Sequence, residues 1–275
     1  MSNVDHIISE NNVASELRLI ITEEYGIAFE VEEERKKLVK QIINSFPNAN
    51  KITDNNGVGV ISNSFTTNIF SNNVTIKYIC YNFKSREEAI NKTNNYSNIY
   101  NCGSNVSQDG KIITFRIGLV CGNPTSISIS VVQHELSHLY EIIKRQPNNL
   151  LGKDEKLYNI VSNNFEKGLT PQQEKLNTAI YVTFETEQIA FSNQLDQMLE
   201  TDPNCEYRLT APYNYLVTLR EVLDDFDQYK HLAKNYRLTE NSLLRRLNQG
   251  YSNYIRRIGR ILYKAKSKLN KTTIR

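Results

Sequence analysis

Nowhere does the chain carry an apolar run approaching the roughly 20 residues that a membrane-crossing helix needs, so no bilayer-spanning segment is expected. The first thirty residues include Asp5, Glu10, Glu16, Glu23 and Glu24, and they lack the apolar core of a secretory leader. Cysteine is scarce: Cys80, Cys102, Cys121 and Cys205 lie far apart and form no CxxC pair. That spacing argues against a thiolate zinc site and against a thioredoxin-like redox motif. With no export signal, a reducing compartment and buried free thiols follow as expectations, and with them a cytoplasmic or virion-associated location. Histidine is equally rare, with only His6, His134, His138 and His231 in 275 residues. At 39% hydrophobic and 9% aromatic residues, the remainder has the composition of an ordinary globular protein.

A further absence is local. From Asn241 to Arg275 there is no acidic residue against ten Lys or Arg, which leaves 23 basic and 30 acidic residues in positions 1–240. The net charge of +3 therefore hides an acidic body and a basic tail.

Hydrophobic periodicity divides the chain. Glu32 to Phe46 places Leu38, Val39, Ile42, Ile43 and Phe46 at helical spacing, and Pro47 ends the pattern. The period then changes. Ser64–Phe70, Val74–Phe83 and Lys111–Cys121 are rich in Ile, Val, Thr, Tyr and Phe between Asn/Gly clusters, which predicts a small, mainly antiparallel sheet. The Asn-rich stretch from Asn91 to Gly110 reads as a long surface connection. Gly122-Asn123-Pro124 predicts a turn and the start of a helix running to about Lys144. Further helices are predicted over Pro171–Glu200 and Tyr213–Tyr236, and a last one over about Asn241–Leu269 with Leu244, Leu247, Tyr251, Tyr254, Ile258 and Ile261 as its apolar seam. The expected organisation is an N-terminal helical segment (1–50), a central α+β domain (51–240) and a basic amphipathic C-terminal helix (241–275).

Within the central domain stands His134-Glu135-Leu136-Ser137-His138, an HExxH motif. Residues four apart share one face of a helix, so the two imidazoles can reach one ion while Glu135 flanks them. Zinc takes such nitrogen and oxygen donors in a tetrahedral array, with one position left for water in catalytic sites. A neighbouring carboxylate can then take the proton of that water, whose pKa the metal lowers. Val131, Val132, Leu136, Leu139 and Tyr140 surround the motif with apolar positions, as a helix backing a cleft requires. His6 and His231 lie far away, so a carboxylate is the expected third ligand.

The motif resembles that of the zincin metallopeptidases. In the metzincin branch a Gly and a His follow three and six residues after the second histidine, but Glu141 and Lys144 stand there. The downstream stretch Tyr181-Val-Thr-Phe-Glu-Thr-Glu-Gln-Ile-Ala is similar to the gluzincins, the thermolysin-like group, in which a Glu on a second helix completes the site and a small residue three positions later lets the helices pack. Glu187 with Ala190 fits that Glu-x-x-Ala pattern, and Glu185 is the alternative. The resemblance covers about residues 111–200. It implies a zincin-like α+β fold, a zinc ion held by His134, His138 and Glu187, Glu135 as the catalytic carboxylate, and a peptide or protein substrate. It also implies that the strand Ile113–Cys121 is a sheet edge able to pair with extended peptide. An oxyanion-stabilising Tyr or His is expected as well. Neither His231 nor any one of the 16 tyrosines is singled out, and Asp196 is a conceivable partner for the imidazoles.

The basic tail opens a different reading. Its cations can face phosphate or an acidic protein partner. The chain would then be a non-catalytic structural or nucleic-acid-associated protein, for instance a phage or mobile-element assembly component, on a zincin scaffold. An intact Glu135 favours the enzyme, because a scaffold does not require that carboxylate.

Overall fold

Strict alternation along residues 73–80 shows how the sheet forms. Val74, Ile76, Tyr78 and Cys80 are fully buried, while Thr75 and Ile79 between them are half-buried and Asn73 and Lys77 are exposed. In the computed structural model, which describes residues 9–17, 37–42, 50–53, 59–69, 72–85, 87–88, 103–106, 111–120, 123–124, 132–140, 154–165, 167–202 and 205–272, the chain divides into two compact units. One comprises Ala28–Leu150 and the other Met1–Ile27 together with Leu151–Arg275.

The first unit holds the sheet. Its strands are β1 (Asn50–Thr53), β2 (Gly59–Ile69), β3 (Asn72–Phe83), β4 (Gly103–Val106), β5 (Ile112–Val120) and β6 (Asn123–Pro124), in the order β1-β2-β3-β5-β4 with β6 also on β5. All pairings are antiparallel except β3 with β5, which run parallel from Thr75↔Ile112 to Phe83↔Val120. Two helices contribute to this unit's core, α1 being reserved for residues 9–17 of the other: α2 over residues 37–42 and α3 over residues 132–140. Leu38, Val39 and Ile42 of α2, the alternating β3 residues, Ile69, Ile113, and Val132, Leu136, Leu139 and Tyr140 of α3 form one cluster. An amphipathic helix on one face of a small sheet is the α+β solution to burying both apolar surfaces. Cys80 lies in this cluster, and burial pushes its thiol up to about 12.

Three local expectations change here. Asn123–Pro124, predicted to open the metal helix, instead pairs with Leu119 and Val120 as a short strand. Proline is tolerated there because β6 is an outer strand of two residues. Gly103–Val106, inside the expected surface connection, is strand β4 against Ile113–Arg116. As a result β5 is not an edge. It carries β3 on one side and β4 and β6 on the other, so its backbone groups at those positions are taken by the sheet. Ile43, Phe46 and the remaining predicted turns of the 32–46 helix lie outside the described residues.

The second unit is helical: α1 (residues 9–17), α4 (Glu155–Asn164), α5 (Pro171–Val182), α6 (Glu185–Thr201), α7 (Ala211–Asp224) and α8 (Glu240–Thr272). A helical turn at Phe226–Tyr229 and a 3-10 segment at Lys230–Tyr236 lead into α8, where the sequence predicted continuous helix from Tyr213. Arg237, at φ 57°, ends that segment in the left-handed region. The seam of α8 is Leu243, Leu247, Tyr251, Tyr254, Ile255, Ile258 and Leu262, all buried. It is thus shifted by one residue at each end from the predicted Leu244 and Ile261. Among the described residues no helix is long and apolar enough to cross a membrane.

The predicted single helix over Pro171–Glu200 is broken at Thr183 and Phe184. Thr170 caps the start of α5 in a capping box with Gln173. At its end Thr183 turns its hydroxyl back to the Ile180 carbonyl, and Phe184 is extended at φ −70° and ψ 131°. Several α8 contacts hold this break. Arg246 donates from Nε to Thr183 Oγ1 at 2.7 Å and lies 4.5 Å over the Phe184 ring, while its terminal nitrogens bridge to Asp154 at the start of α4. Gln188, fully buried, donates through Nε2 to the carbonyls of both Val182 and Gly250. A Cβ on Gly250 would meet Thr183 Cγ2 at 2.6 Å and Thr183 Cβ at 2.8 Å.

Gly250→Ala is therefore expected to destabilise the protein by about 1–3 kcal/mol, the usual cost of overpacking, although Ala in an exposed helix would gain about 1 kcal/mol over Gly. Thermal unfolding checks this at about 2–4 °C per kcal/mol for a chain of this size. An unchanged or raised midpoint would show that α8 does not need its close approach to Thr183.

Candidate metal centre

The two faces of α3 have different tasks. At 100° per residue, Val132, Leu136, Leu139 and Tyr140 fall within an arc of about 100° on the core side. His134 and His138 point to the opposite side, about 200° and 240° round from Val132. Glu135 and His138 are partly exposed, whereas His134 keeps only 7% of its surface. Ser137, also buried, spends its hydroxyl on the Gln133 carbonyl at 2.8 Å within the helix.

The imidazoles meet at their Nε2 atoms, 3.2 Å apart, with ring centroids at 4.9 Å and planes at 77°. Two neutral imidazoles at that distance share one proton between Nε2 atoms, one donating and one accepting. A cation between them uses both lone pairs instead. Two nitrogens of a tetrahedral site with Zn–N near 2.0–2.1 Å lie about 3.3 Å apart, so the spacing fits such an ion without rearrangement of α3.

Glu187 completes the group. His134, His138 and Glu187 each offer one ligand atom, and these atoms all lie within 4.8 Å of one another. The break before α6 puts Glu187 in the first turn of its helix, where the unpaired backbone N–H groups favour a negative charge. It is 1% exposed, and Tyr158 of α4 donates its hydroxyl to Glu187 Oε1 at 3.1 Å. Burial first, and then the adjacent Glu187 charge, pushes the Tyr158 phenol well above its ordinary range, so it remains a donor. Tyr215 is raised for the same two reasons. Around α6, Tyr158 packs edge-on against Phe184 at 5.0 Å and Tyr181 edge-on against Phe191 at 6.3 Å, while Phe191 lies tilted against Tyr215 at 4.6 Å.

The other candidates go elsewhere. Glu185, two residues before Glu187 and on another face, is exposed and pairs with Arg257 at 3.2 Å. Asp196 accepts from Lys264 Nζ at 3.1 and 3.2 Å. His231 is exposed on the 3-10 segment. Tyr158 was one of 16 undifferentiated tyrosines in the sequence. No local signal marks it, because its contact with Glu187 spans 29 residues. Comparison of the chain with protein-family models, with curated proteins and with solved structures finds no match.

A buried His-His-Glu group of this geometry is able to hold a metal ion. His134→Ala and Glu187→Gln should each weaken metal binding by more than the about 10–100-fold that loss of an outer partner costs, while Glu185→Gln should leave it unchanged. Calorimetric titration with zinc checks all three. Equal losses for Glu185→Gln and Glu187→Gln would overturn the assignment of Glu187.

Proposed function

We propose that the chain is a zinc-dependent peptidase in which His134, His138 and Glu187 hold the ion and Glu135 is the catalytic carboxylate. The observation that carries this reading is the approach of the three ligand atoms to within 4.8 Å, with a partly exposed carboxylate on the residue next to His134. Zinc bound by three protein ligands supplies a polarised water of lowered pKa and a Lewis acid for the scissile carbonyl.

The residues of this chain would divide the remaining work. The imidazoles are held by a helix anchored on the sheet through Val132, Leu136 and Leu139, so their separation is set before any ligand arrives. Glu135 lies about 100° round the helix from His134, flanking the imidazole pair without belonging to it. In this reading it would accept a proton from the attacking water and return it to the leaving amine. Its partial exposure keeps it reachable from solvent, in contrast to buried Glu187. A peptide or protein is the substrate class that the resemblance to gluzincins implies, and the group itself would serve hydrolysis of other acyl compounds by the same chemistry.

The non-catalytic reading draws on the cations of α8. Three of them are engaged within their own unit: Arg246 with Asp154, Arg257 with Glu185 and Lys264 with Asp196. That leaves a weaker positive face than the tail's composition alone implies, and the catalytic reading is preferred on this ground.

Glu135→Gln tests it. The variant should keep its zinc stoichiometry and lose cleavage of a broad peptide library by about 10²–10⁴-fold, the range a positioned general base supplies. Cleavage at the wild-type rate by zinc-loaded Glu135→Gln protein would refute the mechanism.

A further inference from the structure

We propose that Tyr158 is a positioning residue for the metal centre: its hydroxyl holds one oxygen of Glu187 so that the carboxylate presents a single oxygen beside His134 and His138. The inference rests on the zinc-site reading above and adds to it a residue that no motif contains.

The geometry is direct. Glu187 Oε1 accepts the Tyr158 hydroxyl at 3.1 Å, and the carboxylate is almost completely buried. A carboxylate on a flexible two-carbon stem can bind a cation through one oxygen or through both. Committing Oε1 to a buried phenol biases it towards one, which keeps the coordination number low and a position open for water. A glutamine or a solvent molecule would make a poorer restraint. The phenol is rigid, with two torsions, and its ring is wedged edge-on against Phe184 at 5.0 Å and tilted against Tyr181 at 6.0 Å.

Both helices that carry the pair are fixed by one side chain. Arg246 reaches Asp154 at the start of α4 and Thr183 immediately before α6, and it covers the Phe184 ring that packs on Tyr158. The separation of Tyr158 from Glu187 is therefore set by an anchor on α8 and not by the hydrogen bond alone. That is the arrangement expected of a positioning group, whose own rotamer must be locked before it can lock another.

The test is a two-by-two cycle of Tyr158→Phe and Glu187→Gln, read by zinc affinity and by the unfolding midpoint of the metal-free proteins. Phe keeps the ring contacts and removes only the hydroxyl. The expected result is a zinc affinity about 10–100-fold lower for Tyr158→Phe in the wild-type background, and a change of less than about twofold in the Glu187→Gln background, where no ligand carboxylate remains to orient. Equal loss in both backgrounds would assign Tyr158 a general structural role and overturn the proposal. So would an unchanged zinc affinity accompanied by lost turnover, which would place the hydroxyl on the substrate. Wild-type protein that fails to bind zinc would instead refute the underlying site reading. Should Tyr158→Phe fail to fold, 3-fluorotyrosine at position 158, which keeps the hydroxyl, must bind zinc within about threefold of wild type; a larger loss there would overturn the proposal.

Discussion

A carboxylate that is 1% exposed is the constraint around which the helical unit is arranged. Moving an ionised carboxylate out of water costs several kcal/mol even after relaxation, so Glu187 needs compensation from fixed partners. Its position in the first turn of α6 supplies backbone N–H dipoles, and Tyr158 supplies a hydroxyl. The backbone dipoles would not be available if Pro171–Thr201 were one continuous helix, since Glu187 would then sit mid-helix beside filled backbone groups. The interruption at Thr183 and Phe184 is thus what makes a charged residue tolerable at this depth. It is secured by side chains from a helix more than fifty residues later: Arg246 on Thr183, Phe184 and Asp154, with Gln188 bonded to the carbonyl of Gly250.

The histidine side obeys a simpler logic. On α3 the apolar positions 132, 136, 139 and 140 leave positions 134 and 138 facing away from the sheet, and the four-residue spacing alone brings the two Nε2 atoms to 3.2 Å. Helix geometry fixes the donors, and packing on β3 and α2 fixes the helix. Because every element of this arrangement lies within nine residues, His134, Glu135 and His138 were legible from the sequence together with the face they occupy.

What was less legible depended on contacts between distant residues. The Glu-x-x-Ala spacing favoured Glu187 over Glu185, but their difference is one of burial: Glu185 faces Arg257 at the surface, and Glu187 faces Tyr158 inside. The helix break carries no Gly or Pro. It arises from a threonine hydroxyl competing for the Ile180 carbonyl and from the α8 side chains that reward the extended Phe184. Similarly, strand β4 lies in an Asn-rich stretch with little β propensity, and its pairing with β5 supplies what its own residues do not. The parallel register of β3 and β5 is equally non-local, and it changes the meaning of β5 from a substrate-pairing edge to an interior strand. The alternation that identified the strands says nothing about which neighbours they take.

The charge distribution shows the same limit in another form. A tail with ten cations and no acid reads as a surface for polyanions. In the folded chain, however, the acidic excess of the body and the basic excess of α8 meet residue by residue at Asp154, Glu185 and Asp196. Two of those three acids lie on α6, the helix that carries Glu187. The cations of α8 therefore pair with one exposed and one buried acid of the ligand helix, Glu185 and Asp196, and, through Arg246, hold its first turn in place. Measured against nucleic-acid binding, where the affinity comes from cations free to displace counterions, these three are already spent. Measured against a metal centre, they are placed where they matter: they fix the orientation of α6 while Tyr158, a neutral donor, is the group that touches the ligand itself. A cation in that position would neutralise Glu187 and weaken its hold on a metal; a phenol orients the carboxylate and leaves its charge for the ion.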